Sequence, residues 1–421
     1  MTSALRRRAF VLGGKITPFI GKGNPNFISK GHPEFGKKEN PTLDWYISEA
    51  VHGAFQETGV PAKNVDSSYI GNFTGELFCN QGHLGAAVIG VDSDLRFKPS
   101  MRVEGACASG GLAFMSGVRD IQAGLDTVLV SGVEVQTTVS ARQGAQYLAA
   151  ASHFATQSKL DDFVFPCLFA RRMKAYRAEF GATEEAIGSI AVKAYENANK
   201  NPLAHMHAVK MTQEVASKAG PKNPNFLSNE NYKDYLKISD CSQVSDGGAA
   251  LILVSEEGLR KLGKSPSDAI EVLAASHTTD DLYDEGNHFK MDNTKEAARQ
   301  VYSAAGITAK DIQVAEVHDC FSIAEILMYE ALGFADYGKG WKLAASGETR
   351  LDGKIPVNTG GGLIGMGHPV GATGVKQILE VFKQMKGLAG DYQLSKRPEF
   401  GLTANMGGND RTTVCTILKN H

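Results

Sequence analysis

Three stretches of the 421-residue chain set reactive side chains beside backbone that can serve them. Cys107 lies in EGACASGGLAFMSGVRDIQAG, after the strand-like MRVEG and at the start of a helical pattern. The free N–H groups and dipole of a helix N-terminus stabilise a thiolate and lower its pKa. The same groups stabilise an oxyanion on an attached carbonyl. Ala106, Ala108, Ser109, Gly110 and Gly111 leave room for a substrate. Cys107 therefore reads either as a nucleophile or as a small buried thiol, the usual fate of a free cysteine. His368, in GGGLIGMGHPVGATG, sits at a turn fixed by Pro369, as a general base, an oxyanion donor or a structural imidazole. The third stretch, VHDCFS at 317–322, follows strand-like QVAEV. In an extended strand His318 and Cys320 share one face and Asp319 takes the other. That alternation disfavours a metal cluster built from the tripeptide, and no other Cys/His pair has ligand spacing, so no metal is expected. Taken alone, His318 is equally a core or strand-end residue.

The remaining cysteines carry less. Cys415, in TTVCTILK, reads as core, and Cys79, Cys167 and Cys241 lack suggestive neighbours. None of the six forms a C-x-x-C pair, which argues against a zinc finger or thioredoxin-type site. The basic run Arg171, Arg172, Lys174, Arg177 reads as a solvated helix face.

The elements that must position these groups alternate between strand and helix, which predicts an α/β architecture. AFVLGG, SSYIGNF, DTVLVSGVEV and GGAALILVS are strand patterns; TLDWYISEAVHGAFQETG and GGLAFMSGVRDIQAG are helical. Residues from about 135 to 242 break the alternation with helical pieces and Pro/Asn-rich loops, as an inserted loop domain would. Two internal echoes divide the chain. ETGVPAKNVDSSYIGNF resembles AAGITAKDIQVAEVHDCF at an offset of 247 residues, which sets Gly71 opposite His318. More faintly, GACASGGLAF resembles GMGHPVGATG, each placing a reactive side chain before a helix rich in small residues. Duplicated halves over 1–265 and 266–421 follow, with an active site where they face each other.

Composition bounds the function. Hydrophobic residues are 42% and charged residues 21%, values of a globular chain of two or three domains. The 44 basic and 46 acidic side chains nearly cancel, which argues against a nucleic-acid surface. No apolar run approaches the ~20 residues of a membrane span. MTSALRRR, with no acidic residue before Glu34, weakly suggests organelle import and tips the expected location toward the mitochondrial matrix over a peroxisome-like organelle.

Together the stretches CASGG, SGVEVQTT, SDCSQVSDGGAALI, VHDCF, NTGGGLIGMGHPVGATG and TANMGGND, in this order along nearly the whole chain, resemble the thiolase superfamily. HDCF narrows the likeness to the sterol carrier protein thiolase branch. The resemblance implies a five-layer α-β-α-β-α fold of two similar halves, a homodimer or homotetramer, CoA and acyl-CoA as substrates, and no metal or redox cofactor. It implies 3-ketoacyl-CoA thiolase activity of the fatty-acid β-oxidation type. The alternatives are a synthase running the condensing direction and a non-catalytic CoA- or lipid-binding relative. Carried over by motif, Cys107 is the nucleophile and His368 its base; His318 matches the Asn of the commoner N-E-A-F motif. The N–H groups of Cys107 and Gly407 form an oxyanion hole, and Ser242 lies near the pantetheine arm. Most thiolases carry a second cysteine in a C-x-G motif; here Asn405-Met406-Gly407 stands instead, and Cys320 takes the proton-shuttle role. Chemically a thiol with pKa near ~8.5 exchanges protons at neutral pH, which an amide cannot. The fused lipid-carrier domain of some relatives is expected to be absent.

Overall fold

In the computed structural model, which describes residues 5–421, the strands are β1 Ala9–Ile16, β2 Ser67–Gly71, β3 Ser100–Val103, β4 Thr127–Glu134, β5 Gly247–Ser255, β6 Ile270–Thr279, β7 Val314–Val317, β8 Phe400–Gly407 and β9 Thr412–Asn420. The helices of ten or more residues are α1 Leu43–Thr58, α2 Ser109–Ala123, α3 Val164–Phe180, α4 Glu184–Ala198, α5 Asp292–Ala305, α6 Ser322–Ala331 and α7 Thr373–Lys386. The strands hydrogen-bond in the order β3-β2-β4-β5-β1-β6-β9-β8-β7. Outward from the β1–β6 seam, β1-β5-β4-β2 on one side mirrors β6-β9-β8-β7 on the other, so the two sequence halves form pseudo-symmetric sheets. The seam itself is short, pairing Phe10 with Glu271 and Val11 with Ile270.

The repeat is visible residue by residue. Helices α1 and α5 both end on a left-handed glycine, Gly59 at φ 67° and Gly306 at φ 69°. A one-turn 3-10 helix follows each, Ala62–Asn64 and Ala309–Asp311, before β2 and β7. Strand alternation then builds the layers. Ala9 and Val11 of β1 face a core shared with Phe114 of α2 and Val375 of α7, whereas Phe10 and Leu12 face Ile47 and Val51 of α1. In the second half Ala297 and Val301 of α5 pack with α6 and the far face of β7–β9. The layers are thus α1, the first sheet, α2 with α7, the second sheet, and α5 with α6. This is the expected five-layer arrangement, with the two sheets joined edge to edge.

Between Glu134 of β4 and Gly247 of β5 runs a largely helical excursion that includes α3 and α4. Here the solvated-face reading of the basic run is corrected. Arg171 and Arg172 are buried. Arg172 donates from Nη1 to the carbonyls of Asn287, His288 and Lys290, and from Nε to Asn409 Oδ1 at 2.6 Å. Helical periodicity gives no warning of a guanidinium turned inward to satisfy loop carbonyls. The same helix stacks Phe169 on Phe321 at 4.6 Å between ring centroids, a pairing worth ~0.5–1.5 kcal/mol beyond the area buried. That contact holds the segment carrying Cys320 against α3.

Residues 1–4, which open the basic N-terminal run, lie outside the described residues. Arg7 and Arg8 are tied into the fold: Arg7 bonds the Leu125 carbonyl at 2.5 Å and pairs with Asp126, and Arg8 pairs with Glu271 at 2.8 Å. Among the described residues no helix is long and apolar enough to cross a membrane.

Candidate active site

Cys107 sits in a 3-10 turn, Ala106–Ala108, that runs straight into α2. Ala106 takes φ 52°, the left-handed region an alanine avoids, at a cost of ~1–2 kcal/mol. The turn is held from both sides. The Ala106 amide donates to Glu104 Oε1, and the Ser109 hydroxyl donates to the Ala106 carbonyl, both at 2.6 Å. A Cβ on Gly110 would lie 2.6 Å from the Gly371 carbonyl oxygen, and one on Gly374 2.1 Å from the Gly111 nitrogen. The small residues of CASGG and GATG therefore let the starts of α2 and α7 touch, which brings the two halves' reactive side chains together.

His368 is fixed through every polar atom but one. Its amide donates to the Gln243 carbonyl at 3.1 Å, and its carbonyl accepts from Gln136 Nε2 at 2.9 Å. Its Nδ1 lies 2.6 Å from the Thr373 hydroxyl, whose own hydrogen goes to the Pro369 carbonyl at 3.0 Å. With its hydrogen on that carbonyl the hydroxyl accepts from Nδ1, an arrangement that leaves a lone pair on His368 Nε2. That Nε2 is buried and has no hydrogen-bond partner. Cys107, His318 and His368 bring their sulfur and ring nitrogens within 4.8 Å of one another.

β7 ends at Val317, so HDC lies in a turn just past the strand, with the Asp319 amide donating to the Val317 carbonyl at 3.1 Å. The partition expected from strand alternation survives this correction. His318 and Cys320 line one cavity, while Asp319 turns away to accept the amides of Leu363 at 2.7 Å and Ile364 at 3.3 Å. Gly362 is required there: its φ is 62°, and a Cβ would meet the Asp319 carboxylate at 2.2 Å.

Burial dominates the electrostatics. It pushes the Cys107 thiol up to about 12, only partly opposed by the Gly408 amide that hydrogen-bonds it, with Glu134 adding to the rise. That rise runs against the thiolate-stabilising effect expected from the helix N-terminus. Burial likewise depresses His368 to about 3, with Lys376 contributing, and drives His318 well below the usual imidazole range, helped by His368. Cys320 is raised by burial and by its neighbour Cys107. Burial thus favours neutral thiols and neutral imidazoles in the resting site.

The cavity in front of Cys107 measures about 370 Å³ and is strongly aromatic, with Phe73, Phe78, Phe163, Phe165, Phe226 and Phe321 in its wall. Ser242 lines it too, its amide donating to the Cys320 carbonyl at 2.9 Å. Gly407 closes β8, where a Cβ would lie 2.1 Å from the Gly105 carbonyl oxygen. Its neighbour Gly408 lines the cavity and supplies the amide that reaches the Cys107 sulfur. Gly408, Thr373, Gln136 and Cys241, which also lines the cavity, were not singled out by the sequence. Their roles depend on backbone path and buried hydroxyl or amide geometry, which no spacing rule encodes. The Cys/His/His set is one that zinc also accepts, but ligands around a single zinc sit ~3.3–3.8 Å apart, closer than the 4.8 Å spread here.

The thiolase N-terminal domain matches residues 34–257 and the thiolase C-terminal domain-like family matches 274–420. The acetyl-CoA acetyltransferase of Methanothermobacter thermautotrophicus is 37% identical over 373 residues, 88% of this chain and 93% of that protein. Sterol carrier protein 2 of Gallus gallus is 30% identical over 400 residues, 92% of this chain and 67% of that protein. The fold matches the Ltp2–ChsH2(DUF35) aldolase with a TM-score of 0.79 at 22% identity, covering 99% of this chain and 98% of that one. It matches human mitochondrial 3-ketoacyl-CoA thiolase in complex with CoA with a TM-score of 0.73 at 16% identity, covering 100% of both. The chain belongs to the thiolase superfamily, in its sterol carrier protein thiolase branch, and so to the acyltransferases.

Proposed function

We propose that the protein is a 3-ketoacyl-CoA thiolase working through an acyl-cysteine. The observation that carries this reading is the buried, unpartnered Nε2 of His368 in the cavity that Cys107, His318 and Cys320 also line, with a ring nitrogen of each histidine and the Cys107 sulfur within 4.8 Å of one another. As the Cys107 sulfur bonds to the 3-keto carbon, its proton passes to His368 Nε2. The C2–C3 bond then breaks, and its electron pair leaves on the enolate of acetyl-CoA or propionyl-CoA. Cys320 protonates that enolate. The thiol of a second CoA gives its proton to the Cys320 thiolate and takes the acyl group from Cys107, whose sulfur recovers the proton held by His368 as the shortened acyl-CoA departs. Carbonyl oxygens rest on His318 and on main-chain N–H groups of Cys107 and the 407–408 segment. The aromatic cavity suits an apolar acyl chain and the pantetheine arm, with Ser242 on its wall.

We propose that the protein is a homodimer built on the free edge of β3. Among the described residues that strand pairs only with β2, and Phe97, Met101 and Leu77 beside it are 94%, 60% and 43% exposed. Exposed apolar edges of this kind are normally covered. The deciding experiment is intact mass spectrometry of the enzyme mixed with acetoacetyl-CoA. An acetyl adduct that maps to Cys107 and is discharged by free CoA is expected; no adduct on Cys107 sinks the mechanism and favours a non-catalytic CoA-binding relative.

A further inference from the structure

We propose that Asn405 fixes the tautomer of His318, so that this imidazole faces the reacting oxygen as an N–H donor. The amide of Asn405 makes three contacts inside the site. Its Oδ1 accepts the Gly111 amide at 3.0 Å, and its Nδ2 donates to the Cys107 carbonyl at 3.1 Å and reaches His318 Nδ1 at 3.3 Å. A backbone N–H only donates and a carbonyl only accepts, so these first two contacts fix which end of the amide is oxygen and which is nitrogen. Turning it over would set NH2 against N–H and oxygen against oxygen. With the NH2 facing His318 Nδ1, that ring nitrogen has to be the bare acceptor. Burial and His368 keep the ring uncharged, so its one proton sits on Nε2.

The two histidines are therefore wired with opposite polarity. Thr373 leaves a lone pair on His368 Nε2, and Asn405 forces a hydrogen onto His318 Nε2. One ring can only take a proton and the other can only give a hydrogen bond. Asn405 occupies the position where most thiolases keep a second cysteine, and it holds Gly111 at the start of α2, the nucleophile's carbonyl and His318 in one relation. It touches no reacting atom in the cavity and so acts as a positioning residue. That the oxygen met by His318 belongs to a 3-ketoacyl thioester rests on the function proposed above; the tautomer does not.

The test is long-range 1H–15N NMR of the full chain labelled with 15N-histidine, with His318 assigned by its loss in His318→Asn. At pH 7.5 the wild type is expected to show the Nε2–H pattern. Asn405→Asp offers a carboxylate to Nδ1 and is expected to move the proton there, with kcat falling roughly 10²- to 10³-fold and KM changing little. A wild-type His318 protonated on Nδ1, or an Asn405→Asp variant that keeps both the Nε2–H pattern and full kcat, overturns the inference. Should the variant fail to fold, the wild-type spectrum alone decides. Acylation of Cys107 by acetoacetyl-CoA is measured on the same samples. Its absence in the wild type removes the thiolase reading, while the spectrum still settles the tautomer.

Discussion

His318 and His368 stand edge to face, ring centroids 5.1 Å apart and planes at 85°, and His368 adds to the burial that lowers the appetite of His318 for a proton. One ring comes from the turn after β7 and the other from the turn before α7, so the pair exists only when the second half is fully packed. Two buried neutral imidazoles also give the protein an acid sensitivity that can be assigned.

His318 has a folded-state pKa below its unfolded value of about 6.5. Its contribution is thus present above pH 6.5 and lost as the pH falls, because the unfolded chain binds the proton that the folded one refuses. Between pH 7.5 and 5 this removes about 2 kcal/mol from the wild type and nothing from His318→Asn. The stability gap between the two, measured by urea unfolding at each pH, is expected to shift against the wild type at pH 5. An unchanged gap refutes a buried neutral His318.

The raised pKa of Cys107 sets a second expectation. A preformed thiolate–imidazolium pair would alkylate at a nearly constant rate from pH 5 to 8. A neutral thiol pushed up to about 12 gains reactivity about tenfold per pH unit across the range where the fold survives. Iodoacetamide labelling of Cys107 followed by peptide mass spectrometry distinguishes the two, and a plateau near neutrality would contradict the coupled transfer.

Cys320→Ala separates acylation from proton delivery. The variant is expected to form the Cys107 adduct at a near-normal rate but to lose exchange of the α-protons of acetyl-CoA with D2O, along with thiolysis, by roughly 10²-fold or more. Full thiolysis in this variant would remove Cys320 from the proton step while leaving the fold and the nucleophile in place.

The β3 edge gives a prediction about assembly. Met101→Lys places a charge on an exposed strand next to Phe97 and is expected to shift the protein from dimer to monomer in sedimentation or light scattering. A wild type already monomeric at micromolar concentration rules out this interface.

Much of the arrangement was legible because chain periodicity and helix stops report backbone directly. The echo between Gly59 and Gly306 survives as two left-handed caps followed by equivalent strands, and CASGG and GATG mark where two helix starts touch. The opposite outlooks of Cys320 and Asp319 followed from alternation even though β7 stops at Val317. What was hidden depends on solvent and on partners far away in sequence. Arg172 looks like any surface arginine until the loop at 287–290 folds over it. The helix N-terminus predicts an acidic thiol for Cys107, and the burial that runs against it exists only in three dimensions. Asn405 looked like a missing cysteine; its hydrogen bonds to Gly111, Cys107 and His318 appear once β8 lies across the start of α2.

The meeting of α2 and α7 through glycine contacts has a kinetic consequence. Cys107 comes from the first half and His318, Cys320 and His368 from the second, so neither half assembles the whole site from its own contacts. Closing so distant a pair is among the slowest events of folding, since long loops must be ordered before their contacts repay the cost. During refolding, helical signal is therefore expected to return well before turnover. Catalysis becomes a clock for the last docking step of the whole chain.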